Sequence, residues 1–224
     1  MKYPLIKKNL SKVYDELAEN WGNDKSLHSW GGEELRKFVE LVKVGSKAMP
    51  AGQLRPRSEA SRQVLELGCG SGVQSKQLSD LGLEVVGIDI SPNMVLEARK
   101  RVPKANFLVG DIATIRFPSA SFDGIYARAS LLHIPKVMIP KVFESINKML
   151  RDGGIFYLAV KEGKGEGEIE DVRHGVNVKR FFSFFVKEEI EKLMEEAGFK
   201  ILELNTYTRV GGSTTWIQVI AKKA

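Results

Sequence analysis

Three glycines stand at alternate positions directly after a short apolar run, in the sequence VLELGCGSG of residues 64–72. A chain turns this sharply over glycine when its backbone must come close to a bound molecule, because glycine adopts positive φ angles and has no Cβ. Gly68, Gly70 and Gly72 do not form a dinucleotide fingerprint, since Val73 takes the place of its final glycine. No Gly-Lys-Ser/Thr follows, so a nucleotide-hydrolase phosphate loop is excluded as well.

Three carboxylates are spaced as if to hold a nucleoside near this turn. Asp89 ends the second apolar run, 21 residues after Gly68, where an acid can accept both hydroxyls of a ribose. Asp111 ends the third run, beside the same crevice, and could face the base. Glu66 precedes the first glycine by two residues, where a carboxylate would repel a pyrophosphate and attract a cation. The pattern favours a ligand that has no phosphate and carries a cationic tail.

Histidine and cysteine offer few further chemical groups. His133, in ASLLHIPK (129–136), follows the fourth predicted strand and is the candidate general base. His28 and His174 lie in predicted loops and could contact a substrate. Cys69 is the single cysteine, which excludes an internal disulfide and a zinc site built on several thiolates, and no metal site is predicted.

The elements that must position these residues alternate between strand and helix. The patterns predict strands at 63–67, 83–89, 105–110, 121–128 and 153–160 and helices between most of them, with Ser91 capping the helix that starts at Pro92. Two early helices are predicted at 5–20 and 33–47, and a late one ends at Gly198. Extended runs at 199–210 and 213–221, joined at Gly211-Gly212, predict a hairpin with an antiparallel last strand. An α/β fold follows, with a mostly parallel sheet covered on both faces.

Composition sets wider limits on the function. The 224 residues fit one large domain or a domain with a small addition, and the loop at 50–62 divides a helical cap and loop (1–62) from a domain at 63–224. The start of the chain lacks a signal-peptide pattern and no apolar run reaches membrane length, so a cytoplasmic protein with no membrane partner is expected. The net charge of +6 is spread along the chain, which favours an ordinary charged surface over a nucleic-acid platform.

The ordered motifs VLELGCGSG, VVGIDIS, VGDI, FDGIYARASLLHI and LRDGGIFYLAV resemble the class I S-adenosylmethionine-dependent methyltransferases over about residues 60–220. The resemblance implies a Rossmann-like seven-stranded sheet in the order 3-2-1-4-5-7-6, with strand seven antiparallel. It also implies S-adenosylmethionine as the cofactor. SKVYDELAENW (11–21) is similar to the N-terminal helix that forms a lid in many members.

The resemblance also implies a role for each cofactor-site residue. Gly68, Gly70 and Gly72 would approach the methionine part, with Glu66 and Arg128 beside it. Asp89 would hold the ribose, and Asp111 would bond the adenine amino group. The remaining contacts would come from Ile90 and Ile112, which sandwich the adenine, and from Tyr14, which lies over the cofactor.

The acceptor is narrowed by what the sequence lacks. Residues 127–130 read Ala-Arg-Ala-Ser, not the Asn/Asp-Pro-Pro-Tyr of enzymes that methylate exocyclic amino groups of bases, and Cys69 is not placed as a C5-cytosine nucleophile. Residues 161–185 are predicted to cover the substrate as a loop. Their balanced charges favour a small molecule, and their four phenylalanines suggest a buried edge strand.

The leading hypothesis is methyl transfer to O or N of a small-molecule acceptor. VYDELAENW also resembles the start of wobble-uridine tRNA methyltransferases, so a tRNA substrate is the first alternative. A nicotinamide oxidoreductase and a non-catalytic cofactor-binding protein are the others.

Overall fold

The computed structural model describes residues 2–23, 32–45, 62–208 and 212–224. Helix α1 spans Tyr3–Trp21 and helix α2 spans Gly32–Gly45, which confirms the two predicted early helices. The buried face of α2 consists of Leu35, Phe38, Val39 and Val42. The predicted loop before Arg62, His28 and the turn at Gly211 lie outside the described residues.

A seven-stranded sheet forms the centre of the molecule. Its strands are β1 (Arg62–Leu67), β2 (Leu83–Asp89), β3 (Asn106–Val109), β4 (Phe122–Arg128), β5 (Leu150–Lys161), β8 (Phe199–Thr208) and β9 (Thr215–Lys223). Their order is β3-β2-β1-β4-β5-β9-β8, and β9 runs antiparallel to both of its neighbours. The predicted order and the antiparallel last strand are confirmed. The carboxyl ends of β1 to β4 therefore meet at one edge of the sheet.

Helices cover both faces of this sheet, as strands that are apolar on both sides require. Those beyond the first two are α3 (Val73–Asp80), α4 (Pro92–Arg101), α5 (Ile139–Met149) and α6 (Lys187–Glu196). On one face, α2 packs Phe38 against the stacked rings of Tyr126 and Tyr157. The opposite face is covered by α5 and α6 in the largest core cluster. Within the described ranges no helix has both the length and the apolar character needed to cross a membrane.

The prediction of a loop at 161–185 is wrong. The segment forms a separate antiparallel hairpin of β6 (Glu166–Arg173) and β7 (Val176–Ser183), joined at His174 and Gly175. Both turn residues have positive φ angles, 51° and 79°, and a two-residue turn of this kind matches the right-handed twist of paired strands. The buried Phe181 of this hairpin packs against α1, so the hairpin and the first helix support each other.

Candidate active site

The glycine turn between β1 and α3 is tied to the neighbouring strand by its own backbone. The amides of Gly68 and Cys69 donate to the carbonyl oxygen of Ile88 at 2.8 and 2.9 Å, and the amide of Gly70 donates to Oδ2 of Asp89 at 2.8 Å. The φ angles of Gly68, Gly70 and Gly72 are 76°, 51° and 78°. The predicted glycine turn and the predicted acid are thus in direct contact.

Two of these glycines are required by close packing. A Cβ on Gly68 would collide with the side chain of Ser130, and one on Gly72 would lie 2.9 Å from Cα of Ala98 in α4. Gly70 differs, because the nearest atoms to its Cβ position belong to the Trp21 ring, at 3.6 and 3.8 Å. Above Gly70 the turn therefore faces open space bounded by the first helix.

Asp89 is a buried carboxylate held by main-chain amides. Its Oδ1 accepts from the amide of Ser91 at 3.0 Å, while Oδ2 accepts from Gly70. Burial raises the pKa of Asp89 above its ordinary value, and the backbone hydrogen bonds act in the opposite direction. Each carboxylate oxygen has a second lone pair, so Asp89 can still accept hydrogen bonds from a ligand.

Asp111 lies at the carboxyl end of β3 and is covered by α1. Its Oδ1 accepts from the Tyr3 hydroxyl at 2.5 Å, and its Oδ2 lies 3.2 Å from Nζ of Lys7. Burial, followed by the hydrogen bond to Asp111, raises the pKa of Tyr3. Sequence reasoning missed Tyr3, although it lies eleven residues before Tyr14 and so on the same face of an α-helix.

The first helix is fastened over this edge of the sheet at two places. Oδ1 of Asp15 accepts from the Ser91 hydroxyl at 2.6 Å and from the amide of Asn93 at 3.0 Å, at the N-terminus of α4. An acid is favourable there because the helix dipole is positive at that end. Arg101 donates to the carbonyl oxygens of Ser71 and Gly22, joining the end of α1 to the glycine turn.

Glu66 lies beneath the glycine turn and does not line the cavity. It is 2% exposed, and its carboxylate accepts a short hydrogen bond from the Ser75 hydroxyl of α3. Burial raises the pKa of Glu66 to about 8, although Ser75 and Arg128 act to lower it. At neutral pH this carboxyl group is largely protonated.

Tyr14 and His133 form a hydrogen-bonded pair at the other end of the site. The Tyr14 hydroxyl lies 2.7 Å from Nε2 of His133, whose Nδ1 lies 2.7 Å from the carbonyl oxygen of Phe181. Nδ1 must donate to that carbonyl, and because burial lowers the pKa of His133 the ring is neutral, so Nε2 accepts from Tyr14. Arg180 of β7 donates to the Tyr14 hydroxyl at 3.1 Å.

A cavity of about 920 Å³, counting the space open to solvent, joins these groups at the carboxyl edge of the sheet. Most of the site residues predicted from the sequence line it, while Glu66 and Gly72 do not. The predicted residues in its wall are Tyr14, Gly68, Gly70, Asp89, Ile90, Asp111, Ile112, Arg128 and His133. Sequence reasoning missed several others, among them Tyr3, Leu10, Met94 and Ser130. In the described residues, the buried Oγ of Ser130 has no hydrogen-bond partner.

The environment of His133 predicts an acid-sensitive fold. Burial lowers the pKa of His133 to about 3, so below pH 6.5 the unfolded chain binds a proton that the folded chain does not. His133 therefore leaves the free energy of unfolding unchanged above pH 6.5 and lowers it as the pH falls below 6.5. The free energy of unfolding of the wild type decreases between pH 7.5 and 5.0. We expect this decrease to be about 2 kcal/mol smaller in His133→Gln, as measured by urea denaturation. His174→Gln, in the exposed hairpin turn, is the control, and equal losses in the two variants would contradict the prediction.

Comparisons with known proteins agree with this geometry. Residues 64–154 match the family model described as a methyltransferase domain. An uncharacterized methyltransferase of Synechocystis sp. is 27% identical over 207 residues, covering 86% of each chain. Trans-aconitate 2-methyltransferase of Paracidovorax citrulli is 31% identical over 147 residues, which cover 62% of this chain and 53% of that protein.

A solved structure shows the same fold. The 1,6-didemethyltoxoflavin-N1-methyltransferase of Burkholderia thailandensis, crystallised with its substrate and S-adenosylhomocysteine, superposes with a TM-score of 0.69 at 18% identity. The match covers 99% of this chain and 89% of that one. Three findings indicate a methyltransferase. They are the strand order, the glycine turn with Asp89, and the match to a methyltransferase domain. This chain therefore carries a methyltransferase domain at residues 64–154, and over most of its length it is similar to S-adenosylmethionine-dependent methyltransferases, whose cofactor is S-adenosylmethionine.

Proposed function

We propose that this enzyme transfers a methyl group from S-adenosylmethionine to an oxygen or nitrogen atom of a small-molecule acceptor. The observation that supports this most directly is the single cavity wall shared by the glycine turn, Asp89, Asp111 and Tyr14. One end of that wall carries the acids expected for a nucleoside, and the other carries the Tyr14–His133 pair. The acceptors in the names of two relatives, trans-aconitate and 1,6-didemethyltoxoflavin, are small molecules as well.

The residues present fit the cofactor. Open space over Gly70 lets its backbone approach the methionine part, and the lone pairs of Asp89 suit the ribose hydroxyls. Ile90 and Ile112 are apolar side chains at the carboxyl ends of β2 and β3, where they suit the two faces of an adenine ring. Asp111 would bond the adenine amino group. Arg128 and Tyr14 would lie beside the methionine part.

Glu66 and Gly72 would act on the cofactor through the turn that they support. Glu66 holds α3 through Ser75, and Gly72 lets α4 approach the turn. We propose that these two residues shape the turn and do not touch the ligand.

The protein's part in the reaction is to align the acceptor and to exclude water. S-adenosylmethionine supplies a methyl group on a sulfonium, and attack on it releases a neutral thioether. The site holds the acceptor atom in line with the methyl carbon and the sulfur, which replaces a random encounter in solution. This alignment can lower the activation free energy by several kcal/mol. Tyr14 and Trp21, together with the rest of α1, cover the cavity, and residues 1–62 are proposed to act as a cap on the domain at 63–224.

The general-base role of His133 stays a prediction, and its contacts favour a different role. A base with a pKa near 3 holds a proton weakly at neutral pH, and Nε2 already accepts from Tyr14. We propose that His133 positions the Tyr14 hydroxyl. An acceptor that needs a base would then lose its proton before it binds or to solvent.

Transfer can be tested with methyl-labelled cofactor and mass spectrometry. The ligand-free enzyme is incubated with a small-molecule extract of cells and, separately, with total tRNA. We expect label in one or a few small molecules and none in tRNA. Label in tRNA would establish the alternative substrate, with binding that weakens steeply as salt is added. Cofactor binding without transfer to either fraction would favour a non-catalytic protein.

Gly70→Ala should separate folding from cofactor binding. A methyl group at this position contacts only the Trp21 ring among the described residues, so the stability should fall by about 1–2 kcal/mol, the cost of a left-handed alanine. The same methyl group takes the space proposed for the methionine part. We expect the affinity for S-adenosylmethionine, measured by calorimetry, to fall tenfold or more.

The matched control for Gly70→Ala is Gly175→Ala. Gly175 has a φ of 79° and no atom within 4 Å of its Cβ position, in the hairpin turn between β6 and β7. This variant should lose similar stability and keep the affinity for the cofactor. Equal affinities in the two variants would show that the cofactor does not lie over Gly70.

A further inference from the structure

Three cationic side chains meet behind Tyr14 and His133. Lys161 ends β5, Arg173 ends β6 and Arg180 lies in the middle of β7. Nζ of Lys161 is 4.0 Å from the centre of the Phe182 ring, and Cζ of Arg180 is 5.1 Å from the same ring. The sheet and the hairpin thus bring these positive charges to one place.

A single carboxylate balances them. Oδ2 of Asp171 accepts from Nη2 of Arg180 at 2.6 Å and from Nε of Arg173 at 2.9 Å. In the described ranges, Lys161 has no acid within ion-pair distance, and its ammonium group lies over the Phe182 ring instead. Three cations and one anion leave two positive charges in excess.

The excess charge is costly where it lies. Arg180 is 3% exposed, and its buried Nε has no hydrogen-bond partner among the described residues. Burial, followed by the nearby charges of Arg180 and Arg173, lowers the pKa of Lys161 to about 8. Asp171 and Tyr14 satisfy part of the Arg180 guanidinium, but one carboxylate does not balance three cations, and an oxyanion bound nearby would reduce the excess charge.

This cluster adjoins the acceptor end of the cavity. Arg180 donates to the Tyr14 hydroxyl, and both Tyr14 and His133 line the cavity. The charges of Arg180 and Lys161 act on the His133 ring, and that of Arg173 acts on Tyr14. The nucleoside end of the cavity, in contrast, carries Asp89 and Asp111. The two carboxylates thus lie at one end of the cavity, and the cationic cluster lies behind the Tyr14–His133 pair at the other end.

We propose that the methyl acceptor carries an oxyanion, either a carboxylate or a phosphate-type group, that binds at Lys161 and Arg180 beside Tyr14 and His133. This inference rests on the proposed function, because it names the chemical class of that site's acceptor. Arginine and lysine are the usual partners of such groups, and the flexible stem of Lys161 allows its ammonium group to turn toward the anion. The sulfonium and the oxyanion would then occupy opposite ends of one cavity.

The test uses the whole enzyme saturated with S-adenosylhomocysteine. Sodium benzoate and inorganic phosphate are the two anionic probes, and benzamide and benzylamine are the neutral and cationic ones. Binding is followed by saturation-transfer NMR for the organic probes and by phosphorus-31 line broadening for phosphate. We expect at least one anion to bind, with the neutral and cationic probes at least tenfold weaker. The anion that binds distinguishes a carboxylate acceptor from a phosphate-type one.

Two variants localise the binding. Lys161→Met keeps the length of the side chain and its contact with Phe182, and Arg180→Lys keeps one charge beside Tyr14. Each should weaken the bound anion at least fivefold, while Lys164→Met, at an exposed lysine three residues further along, should leave it unchanged.

The outcomes separate the two proposals. If every variant keeps its affinity for S-adenosylhomocysteine, the cofactor site is intact. A loss of affinity for the anion is then caused by the change at the anion site. If no anion binds to the wild-type complex, or if Lys161→Met and Lys164→Met bind it equally, the oxyanion proposal is overturned. If S-adenosylhomocysteine itself does not bind, the proposed function fails first.

Discussion

Asp89→Ala is expected to weaken S-adenosylmethionine binding tenfold or more. The carboxylate is proposed to accept the ribose hydroxyls, and a hydrogen bond to a charged group contributes about 1.5–3 kcal/mol, which corresponds to roughly tenfold or more in affinity. The same change leaves the amide of Gly70 without its acceptor, so the glycine turn loses one of its three hydrogen bonds to β2. Isothermal calorimetry on protein freed of bound ligand measures the effect.

Asp80→Ala is the control for Asp89→Ala. Asp80 ends α3 and pairs with Lys76 on the surface, so removing its carboxylate changes the net charge equally without touching the cavity. Its affinity should match that of the wild type. If Asp89→Ala binds the cofactor with unchanged affinity, the ribose is held elsewhere.

Gly72→Ala is expected to destabilise the fold by about 2–5 kcal/mol. A left-handed alanine costs about 1–2 kcal/mol, and forcing a methyl group into a packed site costs about 1–3 kcal/mol more. The methyl group would meet the Ala98 backbone at 2.9 Å, and a backbone in the middle of α4 cannot turn aside as a side chain can. Urea denaturation followed by circular dichroism measures the change.

Gly165→Ala isolates the steric part of this effect. Gly165 has a φ of 80°, close to the 78° of Gly72, but no atom lies within 4 Å of its Cβ position. Its loss of stability should stay at about 1–2 kcal/mol. A Gly72→Ala variant no less stable than Gly165→Ala would mean that α4 does not pack against the glycine turn as described.

The strands and helices could be predicted because their signals are local, whereas the order of the sheet came from the resemblance to the methyltransferase family. Ser91 and Pro92 mark a helix start in the sequence, and the Ser91 hydroxyl does accept from the amide of Met94 at 3.0 Å. The glycine turn and Asp89 were likewise visible as a turn and an acid at the ends of successive strands. Parallel strands then bring their carboxyl ends together without further information.

The β6–β7 hairpin was missed because its signal is unusual. His174 takes the left-handed position that asparagine more often holds in a two-residue turn before glycine. The balanced charges of the segment were interpreted only as favouring a small-molecule acceptor, and its phenylalanines as suggesting a buried edge strand. In the structure these charges pair across the strands, with Nζ of Lys179 at 3.1 Å from a carboxylate oxygen of Glu168.

The contacts of the site could not be predicted because they join distant parts of the chain. Tyr14, His133 and Arg180 come from α1, a short turn after β4, and β7, and no spacing in the sequence relates them. Glu66 was expected to face the ligand, but the strand that carries it directs its carboxyl group beneath the turn, to Ser75. Local patterns give the elements, whereas tertiary packing decides which side chains reach the cavity.

The most direct test of the central claim is a binding competition on ligand-free protein. S-adenosylmethionine, S-adenosylhomocysteine, NADH and ATP are each titrated by calorimetry under the same conditions. The two phosphate-free nucleosides should bind well below millimolar concentration, and NADH and ATP should not bind. Uptake of a pyrophosphate-bearing nucleotide, with no heat from S-adenosylmethionine at millimolar concentration, would contradict the assignment of the cavity.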